Sequence, residues 1–229
     1  MSSSIAALRA LLEKQFPDAT PLVHRTTEQV ATGLGALDRI LPGGGFPRGR
    51  LAVWAPQGGA TAILRAACLA TIAHGERAAW IDGAGTVAGA FWEDGPLLLR
   101  PKSRTLALRS AEEVLRCGGF GLVVLLGAEP EGTETVRLTR SARDGGAALV
   151  TVAPQISMAS LRLQSQILPH SYRWRRTPFG DPAEAQAVRV RVHARAMGWN
   201  AHVEFPLTFT HDELRLSLES HLVDRRGVR

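Results

Sequence analysis

At 229 residues, with 45% hydrophobic and 21% charged positions and a mean hydropathy of −0.01, the chain has the make-up of an ordinary folded protein with one good-sized core. It is short for two independent domains, holds no apolar run of membrane-spanning length, and begins Met-Ser-Ser-Ser without the basic-then-apolar pattern of a secretory signal, which points to the cytoplasm and away from any membrane. The net charge of +6 and pI near 10.5 point to a polyanion or an acidic protein as partner, although with Lys14 and Lys102 the only lysines nearly all of that charge is arginine, a bias that genomic base composition also produces.

Residues 4 to 16 place Ile5, Leu8, Leu11, Leu12 and Phe16 on one helical face, stopped by Pro17. That stripe either packs on the chain's own core or docks on a neighbouring chain. Residues 17 to 30 form an extended connector. Thr32 is expected to cap a short helix from about Gly35 to Leu41, with Leu37, Ile40 and Leu41 facing one way, and Gly43 to Gly45 supply a tight turn.

The run from Arg50 to Arg65 has the layout of a phosphate-binding loop. Leu51 to Trp54 form a strand, Gly58-Gly59 a turn, and Thr61 to His74 a helix that is apolar nearly all round and so expected to be buried beside the sheet. The residues that such a loop needs are absent. The degenerate loop runs from Ala55 to Ala62, and Ala60, Thr61 and Ala62 stand where Gly, Lys and a Ser/Thr hydroxyl are required for phosphate and magnesium. Backbone N–H groups at Gly58-Gly59 and the helix N-terminus leave weak anion binding open.

Downstream, Arg77 to Asp82 is a strand ended by Gly83 to Gly85, and Leu97 to Leu99 and Thr105 to Leu108 are short strand candidates. Ser110 to Gly119 is a capped helix, and Phe120 to Leu126 a buried parallel strand by its unbroken apolar run. Thr133 to Arg143 is helical and Ala147 to Val152 a strand. This alternation is the α/β signature with parallel strands. Ser157 to Gln166 reads as a short helix. After it, His170 to Arg176 and Ala187 to Arg195 alternate residue by residue, and Val203 to Phe205 and Leu214 to Leu218 add two more antiparallel strands.

Chemistry is sparse. Cys68 and Cys117 give neither metal spacing nor a disulfide framework and read as reduced packing residues. The seven histidines are scattered, no metal site or cofactor motif occurs, and Asp82 and Asp94, imaginable as a carboxylate pair, read better as a helix cap or solvated loop residues. The basic segments are richer. Val188, Val190 and Val192 fall on one face of their strand, and Arg189, Arg191, His193 and Arg195 on the other; likewise Tyr172 and Trp174 separate from Arg173 and Arg175, with Arg176 following. Side by side these strands make an arginine-rich face, which is either a solvated edge that resists aggregation or a surface for single-stranded nucleic acid or an acidic partner. The tail Asp224 to Arg229 adds charge.

The order Thr32-Gly33, Leu37-Asp38, Gly43-Gly-Gly45, Phe46-Pro-Arg-Gly-Arg50 and then a strand into a glycine turn resembles the start of the ATPase core of the RecA family. Against that family, Ala84 stands where a Glu activates water and Leu126 where an Asp holds the magnesium-bound water. The resemblance covers residues 30 to 155 by motif order and extends through the antiparallel strands to about 218. It implies a RecA-like α/β core, mostly parallel and flanked by helices, with antiparallel strands at its C-terminal end. The expected organisation is an N-terminal helical arm and connector over 1–29, the α/β domain over 30–220 and a basic tail over 221–229. A short RecA-like chain with a degenerate loop and a basic C-terminal part is similar to ImuA proteins, accessory factors of damage-induced mutagenesis. That similarity implies a non-enzyme without cofactor, working with RecA, an ImuB-type Y-family polymerase homologue, indirectly an error-prone C-family polymerase, and single-stranded DNA in the SOS response. It makes the helix Ile5 to Phe16 a candidate RecA-docking arm and the chain a candidate limiter of RecA filament growth. The alternatives are a cell-division inhibitor similar to SulA and an ATP-binding recombination regulator.

Overall fold

The computed structural model describes residues 29–87, 95–176, 178–180 and 182–208. The expected N-terminal helix with Ile5, Leu8, Leu11, Leu12 and Phe16, together with Asp94, the strand Leu214 to Leu218 and the basic tail, lies outside the described residues.

Among the described residues, six strands form the parallel part of one nine-stranded sheet. In spatial order they are β8 (Leu161–Ile167), β3 (Leu51–Trp54), β7 (Ala148–Val152), β6 (Leu122–Leu126), β4 (Ala78–Asp82) and β5 (Leu97–Leu99). Beyond β8 the sheet turns antiparallel through β10 (Pro182–Ala196) and β11 (Trp199–Thr208), and β9 (Arg173–Arg176) pairs with the first part of β10. A separate two-stranded ribbon joins β1 (Gln29–Val30) to β2 (Phe46–Pro47). The α/β class, with a mostly parallel sheet and antiparallel strands at its C-terminal end, is as the sequence indicates.

Alternation along each central strand feeds two cores. Ala52, Trp54, Trp80, Val124 and Val150 face α2 (Ala60–Ala73) and the segment that holds Leu37, Leu41 and Phe46. Leu51, Val53, Ile81, Val123 and Leu149 face α3 (Arg104–Arg116) and α4 (Gly132–Asp144). Central strands covered on both faces are largely apolar, which is why β3 and β6 read as unbroken runs and β4 and β7 carry a single polar residue each, Asp82 and Thr151. The two faces differ in extent. The first core continues over β10 and β11 through Val188, Val190, Val192, Phe205 and Leu207, whereas residues of β10 and β11 do not enter the second.

Several expectations need correction. Thr105 to Leu108 is not a strand but the first turns of α3, whose cap is Ser103, accepting from Leu106 N–H at 3.3 Å. Ser110 lies inside that helix. Ser157 to Gln166 is not a helix: Leu161 onwards is β8, with Leu161, Leu163 and Ser165 buried and Arg162, Gln164 and Gln166 exposed. Thr32 does not cap the short helix α1 (Gly35–Asp38); its N–H and hydroxyl donate to Asp38 Oδ1 at 2.8 and 2.7 Å and tie the turn from its far end. The helix α2 lies beside the sheet as expected, with Ile63, Leu64, Ala67 and Cys68 enclosed, but its apolar far side, including Leu69 and Ala73, is exposed.

Candidate functional site

Two regions were singled out by sequence, and the fold puts them at different places. The first is the C-terminal edge of the parallel strands, where Trp54, Val152, Leu126 and Asp82 stand side by side in register. Ligands of open α/β sheets bind outside this edge. The glycine turn after β3, Ala84 after β4 and Leu126 at the end of β6 all reach it, so the three positions that the resemblance singled out lie at one edge of the sheet.

The turn itself is closed against its neighbours. Ala55 N–H continues the strand pairing by donating to Leu163 O at 2.9 Å, Gln57 N–H donates to Ala55 O at 2.7 Å, and Ala60 N–H donates to Gln57 O at 3.3 Å. Three backbone donors of the loop are thereby spent on internal carbonyls. Trp54 Nε1 donates to Ser165 Oγ at 3.0 Å, and Ser165 Oγ donates to Gln57 O at 2.8 Å, a buried relay that pins the turn to β8. Gly58 has φ 48° and lies so close to β8 that a Cβ there would stand 2.6 Å from Gln166 Cα and from Ser165 O. Gly59 is also left-handed, at φ 88°, but its Cβ would meet Leu207 and Val190 at ordinary contact distances of 3.5 and 3.7 Å. Close packing on β8 thus requires Gly58 to lack a side chain, whereas Gly59 is demanded only by its left-handed backbone. Thr61 is exposed and Ala62 half-buried at the start of α2.

Ala84 is exposed, and the turn holding it packs on Gly127, where a Cβ would come within 2.7 Å of Ala84 Cβ; Gly83 N–H donates to Leu126 O at 2.8 Å. Asp82 is neither a helix cap nor solvated. It is 1% exposed and accepts from Val87 N–H at 2.8 Å and Thr86 Oγ1 at 3.3 Å, anchoring the loop after β4. Among the described residues no cluster of His, Cys, Asp and Glu has the makings of a metal site. Burial pushes the Cys68 thiol up to about 12, which makes it an inert packing group.

The second region is the half of the sheet that α3 and α4 leave uncovered. Arg162, Gln164 and Gln166 of β8, Arg189, Arg191, His193 and Arg195 of β10, and Asn200, His202 and Glu204 of β11 share this open face. The expected alternation on β10 holds: Val188, Val190 and Val192 are buried beneath it. Its charge is partly answered from within. Glu204, directly across from Arg191, takes Arg191 at 2.6 Å and Arg189 at 3.5 Å. The hydrogen bond from Arg191 holds the Glu204 carboxyl below its ordinary range. His193 and His202 stack across the same pair of strands at 5.5 Å.

On β9 the expected division into a covered and a solvated face is absent, because Arg173 to Arg176 are all exposed. Arg173 lies opposite Ala187, and hence with Arg175 on the side of Arg189, while Arg176 alternates to the other side and donates to Gly180 O at 3.4 Å. Tyr172 and Trp174 are 43% and 50% exposed and stack on each other at 5.7 Å. Phe179, at the tip of the hairpin between β9 and β10, is 92% exposed. The alternation separates Tyr172 and Trp174 from Arg173 and Arg175 without saying whether either side is covered. The signal for an exposed role was the interleaving of Tyr172 and Trp174 with arginines and the Pro178-Phe179-Gly180 tip.

No protein-family model matches the chain, and no curated protein matches it in sequence. Among the described residues no helix is long and apolar enough to cross a membrane.

Proposed function

We propose that this protein is a non-catalytic, RecA-like accessory factor of the DNA damage response that binds single-stranded DNA through the hairpin of β9 and β10. The observation that carries the reading is the solvent-exposed stack of Tyr172 and Trp174, interleaved along the chain with Arg173 and Arg175 and sharing its side of the strand with Arg176. Aromatic faces beside arginines match what single strands require: a sequence-tolerant stacking platform and cations for the phosphates. The closed glycine turn supports the non-catalytic half of the reading. Phosphoryl transfer asks a protein for positioning and charge neutralisation, and here Thr61, Ala62, Ala84 and Leu126 offer no ammonium, magnesium ligand or base.

On this reading the protein acts in the cytoplasm with RecA and an ImuB-type polymerase homologue, and through the latter with an error-prone C-family polymerase. A subunit that presents a RecA-like surface without the ATP machinery joins or caps a filament and limits its growth, with the segment Ile5 to Phe16 as the arm that docks. The test is anisotropy of labelled oligo-dT against the full chain over a salt series, with pull-down of RecA and the polymerase homologue in parallel. Binding that weakens steeply with salt and ignores sequence is expected, with a slope of about −0.7 per phosphate contact. A flat salt response removes the DNA half; magnesium-dependent ATP turnover abolished by Gly59→Val removes the non-catalytic half. Filamentous cells on overexpression, with no oligonucleotide binding, favour the cell-division inhibitor instead.

A further inference from the structure

The edge of α4 makes a step down onto the open face of the sheet, and the step encloses a cavity of about 900 Å³. It lies at the N-terminal end of β3 and β8, opposite in the fold to the glycine turn. Among the described residues its walls bring together Arg140, Arg162 and Arg195, with Asp144 3.8 Å from Arg140, and Arg50 and Arg143 line it as well. Arg162 and Arg195 are direct cross-strand partners in the pairing of β8 with β10. Like charges so placed repel each other unless an anion lies between them. Arg162 donates to the carbonyls of Ile156 and Ser157, which orients it without neutralising it.

The same step exposes apolar side chains that a purely ionic site has no use for. Met158 and Met197 are 58% and 59% exposed, and Val136 on α4 is 51% exposed. Flexible thioethers suit an adaptable peptide-binding surface. Among the described residues the lining contains no aromatic ring to serve as the stacking platform of a single-strand site.

We propose that this step is a docking groove for an acidic, amphipathic peptide segment of a partner protein, its carboxylates meeting the arginines and its apolar side chains seated between Met158, Met197 and Val136. The groove is separate from the hairpin: Arg195 and Ala187 are eight residues apart on β10, about 26 Å of strand.

The probe is a fluorescein-labelled Asp/Glu-rich peptide with a central Leu-Leu pair, titrated with the full chain. Three competitors accompany it: the same peptide with Ser for Leu, oligo-dT, and tripolyphosphate. The leucine peptide is expected to bind roughly tenfold more tightly than its serine version, the affinity gain of burying a leucine side chain. Arg140→Glu should weaken it by roughly tenfold, and Met158→Ser should erase the leucine preference while leaving oligo-dT binding unchanged. Both positions are more than half exposed, so circular dichroism should show the fold intact in each variant. Equal binding of the two peptides, or displacement of the leucine peptide by oligo-dT or tripolyphosphate at lower concentration than by the unlabelled peptide itself, overturns the proposal.

Discussion

Adding one methyl group at Gly58 separates the packing role of the turn from a ligand-binding one. In Gly58→Ala the new Cβ meets Gln166 Cα and Ser165 O at 2.6 Å, both backbone atoms of a central strand that cannot swing aside. The left-handed φ of 48° costs about 1 kcal/mol for a residue with a Cβ. Relieving the clash moves the turn off β8 and loosens the relay from Trp54 through Ser165 to Gln57, two hydrogen bonds worth about 1 kcal/mol each. The sum is about 3 kcal/mol, or a fall in Tm of roughly 6–12 °C for a chain of this size. Gly59→Ala is the matched control. Its φ of 88° carries the same left-handed cost, but its Cβ enters ordinary contact with Leu207 and Val190, so a fall of about 2–4 °C is expected. Differential scanning calorimetry without nucleotide reads both. If Gly58→Ala is as mild as Gly59→Ala, the turn is not held against β8 as described.

The remaining expectations concern the basic half of the molecule and the cysteines. Trp174→Ala should leave Tm within about 1 °C, since the ring is half exposed, yet weaken oligo-dT binding by roughly tenfold or more, the value of one base–aromatic stack. The Glu204 carboxyl is held below its usual range by the Arg191 hydrogen bond, so the pairing is complete above the ordinary carboxylate range and is lost as pH falls through that depressed value. Oligo-dT affinity should therefore rise on acidification as Arg191 is released, and Glu204→Gln should raise it at neutral pH and flatten the pH dependence; an unchanged titration shows that Arg191 takes no part in binding. In the native protein, iodoacetamide at pH 8 should label Cys117 only, because burial raises the Cys68 thiol to about 12, and mass spectrometry should find both labelled in denaturant.

What could be read from the sequence follows from how local each determinant is. The strands β3, β4, β6 and β7 were legible because burial on both faces leaves a run of apolar residues between glycines. The alternation of β10 was legible because one covered face leaves a period of two. The misread elements are those where two local signals compete. Leu161-Arg-Leu-Gln-Ser-Gln-Ile167 consists largely of residues that favour helices, yet the pairing of β8 with β3 on one side and β10 on the other overrides that preference. At α3, Arg104 and the absence of acidic residues in the first turn disguise a helix start that Ser103 caps, and Leu106 and Leu108 mimic a strand. The closure of the glycine turn was out of reach, because the atoms that close it, in Ser165 and Gln166, belong to a strand read as a helix. The arginine–methionine step draws on α4, β8 and β10, which only the sheet order brings together.

The uneven coverage of the sheet links the two binding proposals. Helices α3 and α4 cover the central strands on one side only as far as β3, so β8, β10 and β11 present a polar face that begins at the step beside α4 and continues along β10 to the hairpin. One strand thus spans both surfaces, the groove at Arg195 and the aromatic hairpin beyond Ala187, about 26 Å apart. A peptide in the groove and a single strand on the hairpin leave each other room and are held at a fixed separation. A partner that carries the acidic segment and also grips DNA would then bind the second site as an intramolecular event, at an effective concentration in the millimolar range for a short linker. Under this arrangement the chain needs no chemistry of its own to act: holding a partner and a strand of DNA at a set distance is sufficient.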